Sequence, residues 1–346
     1  MQQYFSQNHS SPNYRFLAGV VALFIGFTGC NSATPTSSDT AGSESSQADA
    51  TTDTETAASD AASESLVDVV ASYSVVCDIT AQIVADAAQL TCLIPSDQDP
   101  HTYQAKPSDR EAIDTADLVF YAGLNFEPAI IDMATASETE APKIALHDEA
   151  VQQVIEVEEE GEVNPDPHVW HDVENGLVMV TLIRDNLVAV DPDNADVYTQ
   201  NAEQLTAELQ ALDAWIPEQI ATIPEPQRRL VTTHDAMGYY AQAYGLTVEG
   251  TLLGMSTEEQ PTATQVNALS TSIREKEIPT IFAELTADDR VLKTVADEAG
   301  VSISEKVLLA DGLGLEGTPQ GTYTGMLVYN TCSIVDGLGG ECAPAP

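Results

Sequence analysis

The sequence predicts an α/β protein with two lobes, each built on a small parallel sheet flanked by helices, joined by one long backbone helix. Short apolar segments alternate with segments of helical periodicity in both halves of the chain, and such alternation is typical of parallel strands with right-handed crossovers. Between the halves, Ala195 to Ile223 keeps helical spacing with little interruption except Pro217. The chain of 346 residues is long enough for two domains of ordinary size.

Residues 1–29 are expected to be a signal peptide. Met1 to Arg15 is polar, with one basic and no acidic side chain, and the apolar run Phe16–Phe27 precedes Cys30. That run is shorter than the roughly 20 residues that a transmembrane helix needs. FTGC resembles the lipobox of bacterial lipoproteins, with Phe27 in place of the usual Leu, and the resemblance implies that Cys30 is lipidated. A plain signal peptide that ends near a cysteine is the alternative.

Residues 30–65 are expected to be a lipidated cysteine followed by a disordered tether. From Asn31 to Ser65 the chain is rich in Ser, Thr, Ala and acidic residues and has no Lys, Arg or aromatic residue. Such a composition buries too little apolar surface to offset the entropy lost on ordering. The folded part is therefore expected to begin near Leu66.

The charge balance points to cationic partners. Twelve basic and 55 acidic side chains give a net charge of −43, which disfavours nucleic acid and anionic membrane surfaces. Adaptation of the surface to salty surroundings is the alternative explanation.

Five cysteines fit an oxidising compartment, with one for lipid and four for two disulfides. Four cysteines allow three pairings. We favour Cys77–Cys92 and Cys332–Cys342 because the members of each pair are close in sequence. Buried free thiols remain the alternative.

The N-terminal lobe is expected to span residues 66–193. Its first unit is a strand, a helix and a strand, and Ser108 is expected to cap the next helix. The predicted elements are strand Leu66–Ser72, helix Asp78–Ala88, strand Leu90–Ile94, helix Asp109–Thr115, strands Leu118–Tyr121 and Lys143–Leu146, and helix Val173–Val190.

The linking helix is expected within residues 194–223, after a turn at 191–194. Its apolar positions recur at intervals of three and four residues, so one stripe can pack along both lobes. The C-terminal lobe, residues 224–346, is expected to contain strand Arg229–Thr232, helix Met237–Tyr244, strand Thr247–Thr251, helix Thr264–Lys276, strand Thr280–Ala283, helix Asp289–Glu298, strand Val301–Glu305 and helix Thr322–Val335.

Three histidines lie in polar, turn-rich segments where an open α/β sheet usually holds ligands. His101 follows a predicted strand, His168 lies in NPDPHVWHD, and His234 follows an apolar strand. Three imidazoles from separated loops and one carboxylate would make a four-coordinate Zn2+ site. For each histidine alone, a surface or structural role stays open, and no HExxH spacing is present.

Four motifs in register make the prediction specific. The segments PHTYQAKPSD, DPHVWHD, TTHDAMGYYAQAYGL and LLADGLG resemble, in order and approximate spacing, the metal-ligand motifs of the zinc and manganese solute-binding lipoproteins of bacterial ABC transporters. The similarity runs from about Leu66 to the last helix. It implies that His101 and His168 from the N-terminal lobe, with His234 and Asp311 from the C-terminal lobe, hold one metal ion in the cleft.

His234 bears on the choice of metal. Manganese-associated members of this family tend to carry Glu at this position, and members with His tend to bind zinc. Replacement of carboxylate by imidazole also moves the preference from Mn2+ toward Zn2+. Zn2+ is therefore the predicted ion, and Mn2+ is the alternative.

Other polar residues near these motifs have predicted supporting roles. Glu284 is a candidate to accept a hydrogen bond from a ligand imidazole and fix its tautomer, with an ordinary buried acid as the alternative. The family has no ligand at His171, which is expected to be exposed or to lie beside a ligand, and His147 is expected to be structural. The acidic run Glu156–Glu162 is expected to be a solvated loop, with loose gathering of cations as a second hypothesis.

A zinc hydrolase is the competing class of protein, since a catalytic zinc keeps one position for water. Asp311 would close that position, and no further acid or base is tied to the site by a motif, so no enzymatic activity is expected. Nothing in the sequence encodes the receptor-binding surface of an adhesin. The predicted protein is a lipid-anchored, extracytoplasmic monomer, periplasmic or on the cell surface, that delivers its ion to the membrane permease of an ABC importer.

Overall fold

The structure, a computed structural model, describes residues 66–159, 161–258 and 260–346. The predicted signal peptide, Cys30 and the predicted tether lie outside the described residues. In the described ranges, no helix combines the length and the apolar character needed to cross a bilayer.

A four-stranded parallel sheet forms the centre of the N-terminal half. Its order is β2-β1-β3-β4, so the first strand lies between the second and the third. The strands are β1 (Val67–Ala71), β2 (Ala88–Cys92), β3 (Leu118–Tyr121) and β4 (Lys143–Ala145). Val69–Ala71 and Leu118–Phe120 are buried, as expected for central strands covered on both faces. Each strand lies within two residues of its predicted bounds.

Four helices accompany this sheet, and two of them were not predicted. They are α1 (Ser74–Val84), α2 (Pro107–Thr115), α3 (Pro128–Ala136) and α4 (Leu146–Ala150). The sequence missed α3 and α4, which are short and begin at a proline or directly after a strand. α1 begins and ends four residues before the predicted helix. It ends at Val84 because the chain leaves the helix at Ala85, whose φ is 47°.

Ser108 does not cap α2, contrary to the prediction. The helix begins at Pro107, whose ring fixes a helical φ and needs no hydrogen-bond acceptor. The carboxylate of Asp109 instead accepts the backbone N–H of Lys106 at 2.7 Å.

The acidic run is a hairpin and not the predicted loop. β5 (Glu156–Glu159) and β6 (Glu162–Pro165) pair antiparallel. Glu156, Glu158 and Glu162 are exposed. The second strand of the hairpin leads directly into the segment that carries His168.

One long helix connects the halves and follows the last helix of the N-terminal half. α5 (Val173–Val190) matches its prediction, a short 3₁₀ turn follows, and α6 (Ala195–Ile220) extends over 26 residues. Its predicted apolar stripe is buried in one hydrophobic cluster that also includes side chains of both sheets; the stripe consists of Leu205, Leu209, Leu212 and Ile216. α6 therefore packs along both halves.

The C-terminal half repeats the strand order of the N-terminal half. β7 (Arg229–Thr232) pairs with β8 (Thr247–Thr251), and β9 (Thr280–Ile281) pairs with β10 (Ser302–Ile303), all parallel. The N–H of Phe282 donates to the carbonyl of Val231 at 2.9 Å and joins the two pairs. The resulting order, β8-β7-β9-β10, has the same connectivity as β2-β1-β3-β4.

Helices cover this second sheet within two residues of the predicted bounds. They are α7 (Gly238–Tyr244), α8 (Ala263–Glu275), α9 (Arg290–Ala299) and α10 (Tyr323–Gly337). The hydroxyl of Thr262 caps α8, and the hydroxyl of Thr322 caps α10. The α/β fold class with a long connecting helix is thus confirmed, whereas the proposed domain limits at 193/194 and 223/224 stay predictions.

Two disulfides join the cysteines that the sequence paired. Cys77–Cys92 ties α1 to the end of β2, with Cα atoms 5.8 Å apart. Cys332–Cys342 ties α10 to the C-terminal segment, with Cα atoms 5.2 Å apart.

Candidate metal centre

Four side chains from four separate loops converge in the interior. His101 follows β2, His168 follows β6, His234 follows β7, and Asp311 lies between β10 and α10. All four are buried, and one donor atom of each lies within 4.8 Å of the others. The structure therefore brings together the four residues that the motifs predict as ligands.

The donor atoms form a compact tetrad. Nε2 of His168 lies 3.3 Å from Nε2 of His101 and 3.3 Å from Nε2 of His234. Oδ1 of Asp311 lies 3.7 Å from His101 Nε2, 3.5 Å from His168 Nε2 and 3.0 Å from His234 Nε2. Three ring nitrogens and one carboxylate oxygen thus face a common point.

The loops of His101 and His168 share a local turn. In each Asp-Pro-His tripeptide, Oδ1 of the aspartate accepts the backbone N–H of the histidine at 2.9 Å. The aspartates are Asp99 and Asp166. Such a turn fixes the direction in which the histidine leaves the backbone. The role of these aspartates was not predicted, although the repeated tripeptide is visible in the sequence.

Acidic partners orient two of the imidazoles. Asp166 Oδ1 lies 2.8 Å from Nδ1 of His168. Glu284 Oε2 bonds Nδ1 of His234, and its Oε1 accepts the backbone N–H groups of Thr233 and His234 at 3.0 and 3.1 Å. With the proton on Nδ1, the lone pair of Nε2 points to the common centre. Glu284 therefore has the position that the sequence suggested.

Asp311 presents one oxygen to the imidazoles and the other to Thr286. Oδ1 is buried and has no hydrogen-bond partner among the described residues, whereas Oδ2 accepts the hydroxyl of Thr286 at 3.1 Å. A buried carboxylate oxygen without a hydrogen bond is costly. A cation between Oδ1 and the three ring nitrogens would remove that cost.

The histidines and acidic residues of the site shift one another's pKa values. Burial lowers the pKa of His234, but Asp311 and Glu284 more than compensate, and its pKa lies well above the ordinary value. Burial likewise lowers the pKa of His168, which Asp166 and Asp311 raise above the ordinary value. Burial raises the pKa of Asp311, but the facing histidines hold it well below the ordinary range.

Aromatic side chains surround the donors. The ring of Phe126 lies 4.9 Å from that of His101 and 5.7 Å from that of His168. Trp170 lies 5.5 Å from His168. Apolar rings beside the donors lower the local dielectric constant, which strengthens the attraction between Asp311 and a cation.

The two remaining histidines of the described ranges are buried beside the tetrad. Nε2 of His171 lies 2.8 Å from the carbonyl oxygen of Ala310, so His171 is buried beside Asp311 and is not exposed. Nε2 of His147 lies 3.0 Å from the hydroxyl of Tyr73. Burial lowers the pKa of His171 to about 4 and that of His147 to about 3, so both stay neutral at pH 7.

A small cavity reaches the tetrad from outside. It has a volume of about 160 Å³ and is lined by His101 together with residues of both halves, including Asn125, Pro167 and Met255. Among the four ligands, His101 is therefore the one that lines this cavity.

Comparison with known proteins places the chain in a family. Residues 69–337 match the sequence profile of the family described as the periplasmic zinc-uptake complex component A. A manganese-binding lipoprotein of Halalkalibacterium halodurans is 33% identical over 271 residues, covering 78% of this chain and 88% of that protein. A manganese ABC transporter substrate-binding lipoprotein of Streptococcus anginosus is 33% identical and covers 81% of this chain and 91% of that protein.

Solved structures of periplasmic metal-binding proteins are also similar to this chain. The periplasmic zinc-binding protein TroA from Treponema pallidum superposes with a TM-score of 0.75 at 30% identity, covering 79% of this chain and 99% of that chain. A manganese-bound periplasmic metal-binding protein from Candidatus Liberibacter asiaticus gives a TM-score of 0.69 at 28% identity, covering 78% of this chain and 98% of that chain. The chain therefore belongs to the family of the periplasmic zinc-uptake complex component A, whose members are substrate-binding proteins of metal-importing ABC transporters and not enzymes.

Proposed function

We propose that this protein captures one Zn2+ with His101, His168, His234 and Asp311 and delivers it to the membrane permease of its importer. The observation that carries the proposal is the spacing of the donors. Four donors arranged as a tetrahedron at zinc distances of about 2.0–2.1 Å lie about 3.3–3.4 Å apart. Five of the six separations are given above, and their range of 3.0 to 3.7 Å brackets that value.

The donor types support the same ion. Three imidazoles and one carboxylate suit Zn2+, whereas Mn2+ prefers sites richer in oxygen and six-coordinate geometry. Asp166 and Glu284 hold two of the imidazoles in the tautomer that binds metal. The site therefore needs little rearrangement to accept a four-coordinate ion.

Mn2+ is the alternative cargo, and the names of two relatives favour it. A structure similar to this chain is described as zinc-binding, and another as manganese-bound. The family alone therefore leaves both ions open, and the donor set is the reason for our choice.

Competition between the two ions tests the assignment. Chelator-stripped protein is mixed with equimolar Zn2+ and Mn2+, and native mass spectrometry identifies the bound metal from the mass of the complex. The variant His234→Glu is measured in parallel. We expect the wild type to carry one Zn2+ and the variant to shift toward Mn2+, because a carboxylate replaces an imidazole. Equal loading of both ions by the wild type would defeat the zinc assignment.

We also propose that Cys30 anchors the mature protein in a membrane through lipid, on the extracytoplasmic side. The lipobox-like FTGC and the lipoprotein names of the relatives support this proposal. In cells that express the full chain, Cys30→Ser should move the protein from the membrane fraction to the soluble fraction. An unchanged distribution would contradict a lipid anchor at this cysteine.

A further inference from the structure

Thr286 lies in the segment that follows β9 and contacts the one ligand that is not an imidazole. Its hydroxyl donates to Oδ2 of Asp311 at 3.1 Å, while Oδ1 of the same carboxylate faces the three ring nitrogens. The two oxygens of Asp311 therefore have different partners. One is directed to the metal position, and the other is held by a hydroxyl.

The backbone fixes this contact. Glu284 and Leu308 form a parallel bridge, and the N–H of Leu285 donates to the carbonyl of Leu308 at 2.9 Å. This pairing holds the segment of Thr286 beside the segment that ends at Asp311. Glu284, two residues before Thr286, bonds His234. One short segment thus supplies hydrogen-bond partners to both ligands from the C-terminal half, His234 and Asp311.

A carboxylate can bind a metal ion through one oxygen or through both. For Asp311 to bind through both, Oδ2 would have to leave the hydroxyl of Thr286. Six-coordinate Mn2+ needs two donors more than the tetrad offers, and Oδ2 is the oxygen that Asp311 itself could add. A group that holds Oδ2 away from the ion therefore favours four-coordinate geometry.

We propose that Thr286 is a specificity-determining residue that keeps Asp311 a single-oxygen ligand and so favours Zn2+ over Mn2+. This inference rests on the proposed function, because it assumes that Asp311 and the three histidines bind the imported ion. Thr286 acts through Asp311 and does not itself bind the metal.

The test compares Thr286→Val, which keeps the shape and removes the hydroxyl, with Thr286→Ser, which keeps the hydroxyl. Thr294→Val, on the exposed face of α9, is the matched control. Zn2+ and Mn2+ affinities are measured by chelator competition, and the visible spectrum of the Co2+ form reports coordination number, because four-coordinate Co2+ absorbs more strongly than five- or six-coordinate Co2+.

We expect Thr286→Val to bind Zn2+ about 10- to 100-fold more weakly, as for the loss of other outer partners of metal ligands. Its affinity for Mn2+ should fall less, and its Co2+ bands should weaken as Oδ2 joins the ion. Thr286→Ser and Thr294→Val should resemble the wild type. Thermal unfolding of the metal-free variants checks that they are folded.

Two results would overturn the inference. In one, Thr286→Val keeps the Zn2+ to Mn2+ affinity ratio and the Co2+ spectrum of the wild type. In the other, Thr286→Ser loses as much as Thr286→Val. A wild-type Co2+ form that is not four-coordinate would instead defeat the proposed four-coordinate zinc site, so the two failures can be told apart.

Discussion

One oxygen of Asp166 contacts His168 twice. Oδ1 accepts the backbone N–H of His168 at 2.9 Å and lies 2.8 Å from Nδ1 of its ring. The same carboxylate therefore fixes where the chain places the histidine and which ring nitrogen carries the proton. Asp99 makes the first of these contacts with His101, and its other oxygen accepts a hydrogen bond from the hydroxyl of Thr257.

This difference between Asp99 and Asp166 predicts unequal effects of the same substitution. Asp166→Asn keeps a side-chain oxygen for the turn but loses the charge that supports the imidazole, so Zn2+ affinity should fall about 10- to 100-fold. Asp99→Asn should have a much smaller effect, because Asp99 supports the turn. Competition with a chromogenic chelator measures both. Equal affinities of the Asp166 variant and the wild type would contradict the orienting role.

Metal binding should release protons and weaken on acidification. Burial lowers the pKa of both His168 and His234, but their acidic partners raise it above the ordinary value. A raised pKa means that protons compete with the metal from a higher pH than the ordinary value of about 6.5. Zn2+ affinity should therefore already fall between pH 8 and pH 6.

Calorimetry in buffers of different ionisation enthalpy counts the released protons. Glu284→Gln removes one of the carboxylates that raise the pKa of His234, so fewer protons should be released at pH 7. The predicted ligand set would be contradicted by an affinity that stays constant from pH 8 to pH 5.

The sequence predicted the parts of this molecule that local patterns encode. α5, β3, β7 and β8 have their predicted bounds because apolar periodicity and flanking turn residues mark them clearly. α3 and the β5–β6 hairpin were missed, since the first is short and the second is a run of acids with no apolar alternation. The prediction of Ser108 as a cap is wrong because serine favours caps in general, whereas Pro107 decides where α2 begins.

The functional site could likewise be predicted only in part from the sequence. The resemblance to a family named the four residues that the structure brings together, and Glu284 could be suggested from the strand before it. Thr286 could not be found from the sequence, because its contact with Asp311 depends on the bridge between Glu284 and Leu308. Such pairing of distant segments leaves no local signal.

The disulfide between Cys77 and Cys92 should stabilise the fold without taking part in metal binding. It closes a separation of 15 residues, for which chain entropy gives about 3 kcal/mol. The double variant Cys77→Ser/Cys92→Ser should therefore unfold at lower urea concentration and still bind one Zn2+ when folded. Urea unfolding and native mass spectrometry measure the two quantities, and an unchanged midpoint would refute the stabilising role.

Glu127 should make the metal-free protein less stable as the pH rises. It is fully buried, its Oε1 accepts the N–H of Ala122, and its Oε2 has no hydrogen-bond partner in the described part of the chain. Burial raises its pKa from 4.5 to about 8, so the folded protein keeps the proton that the unfolded chain loses above the ordinary pKa. The stabilising contribution is complete below that pKa and is lost as the pH rises toward 8.

Glu127→Gln, which is neutral at every pH, should gain stability relative to the wild type by up to about 1.4 kcal/mol per pH unit from pH 5 to pH 8. Urea unfolding at both pH values measures the difference, with Glu111→Gln on the exposed face of α2 as the control. A constant difference between Glu127→Gln and the wild type across this range would show that Glu127 is ionised in the folded protein.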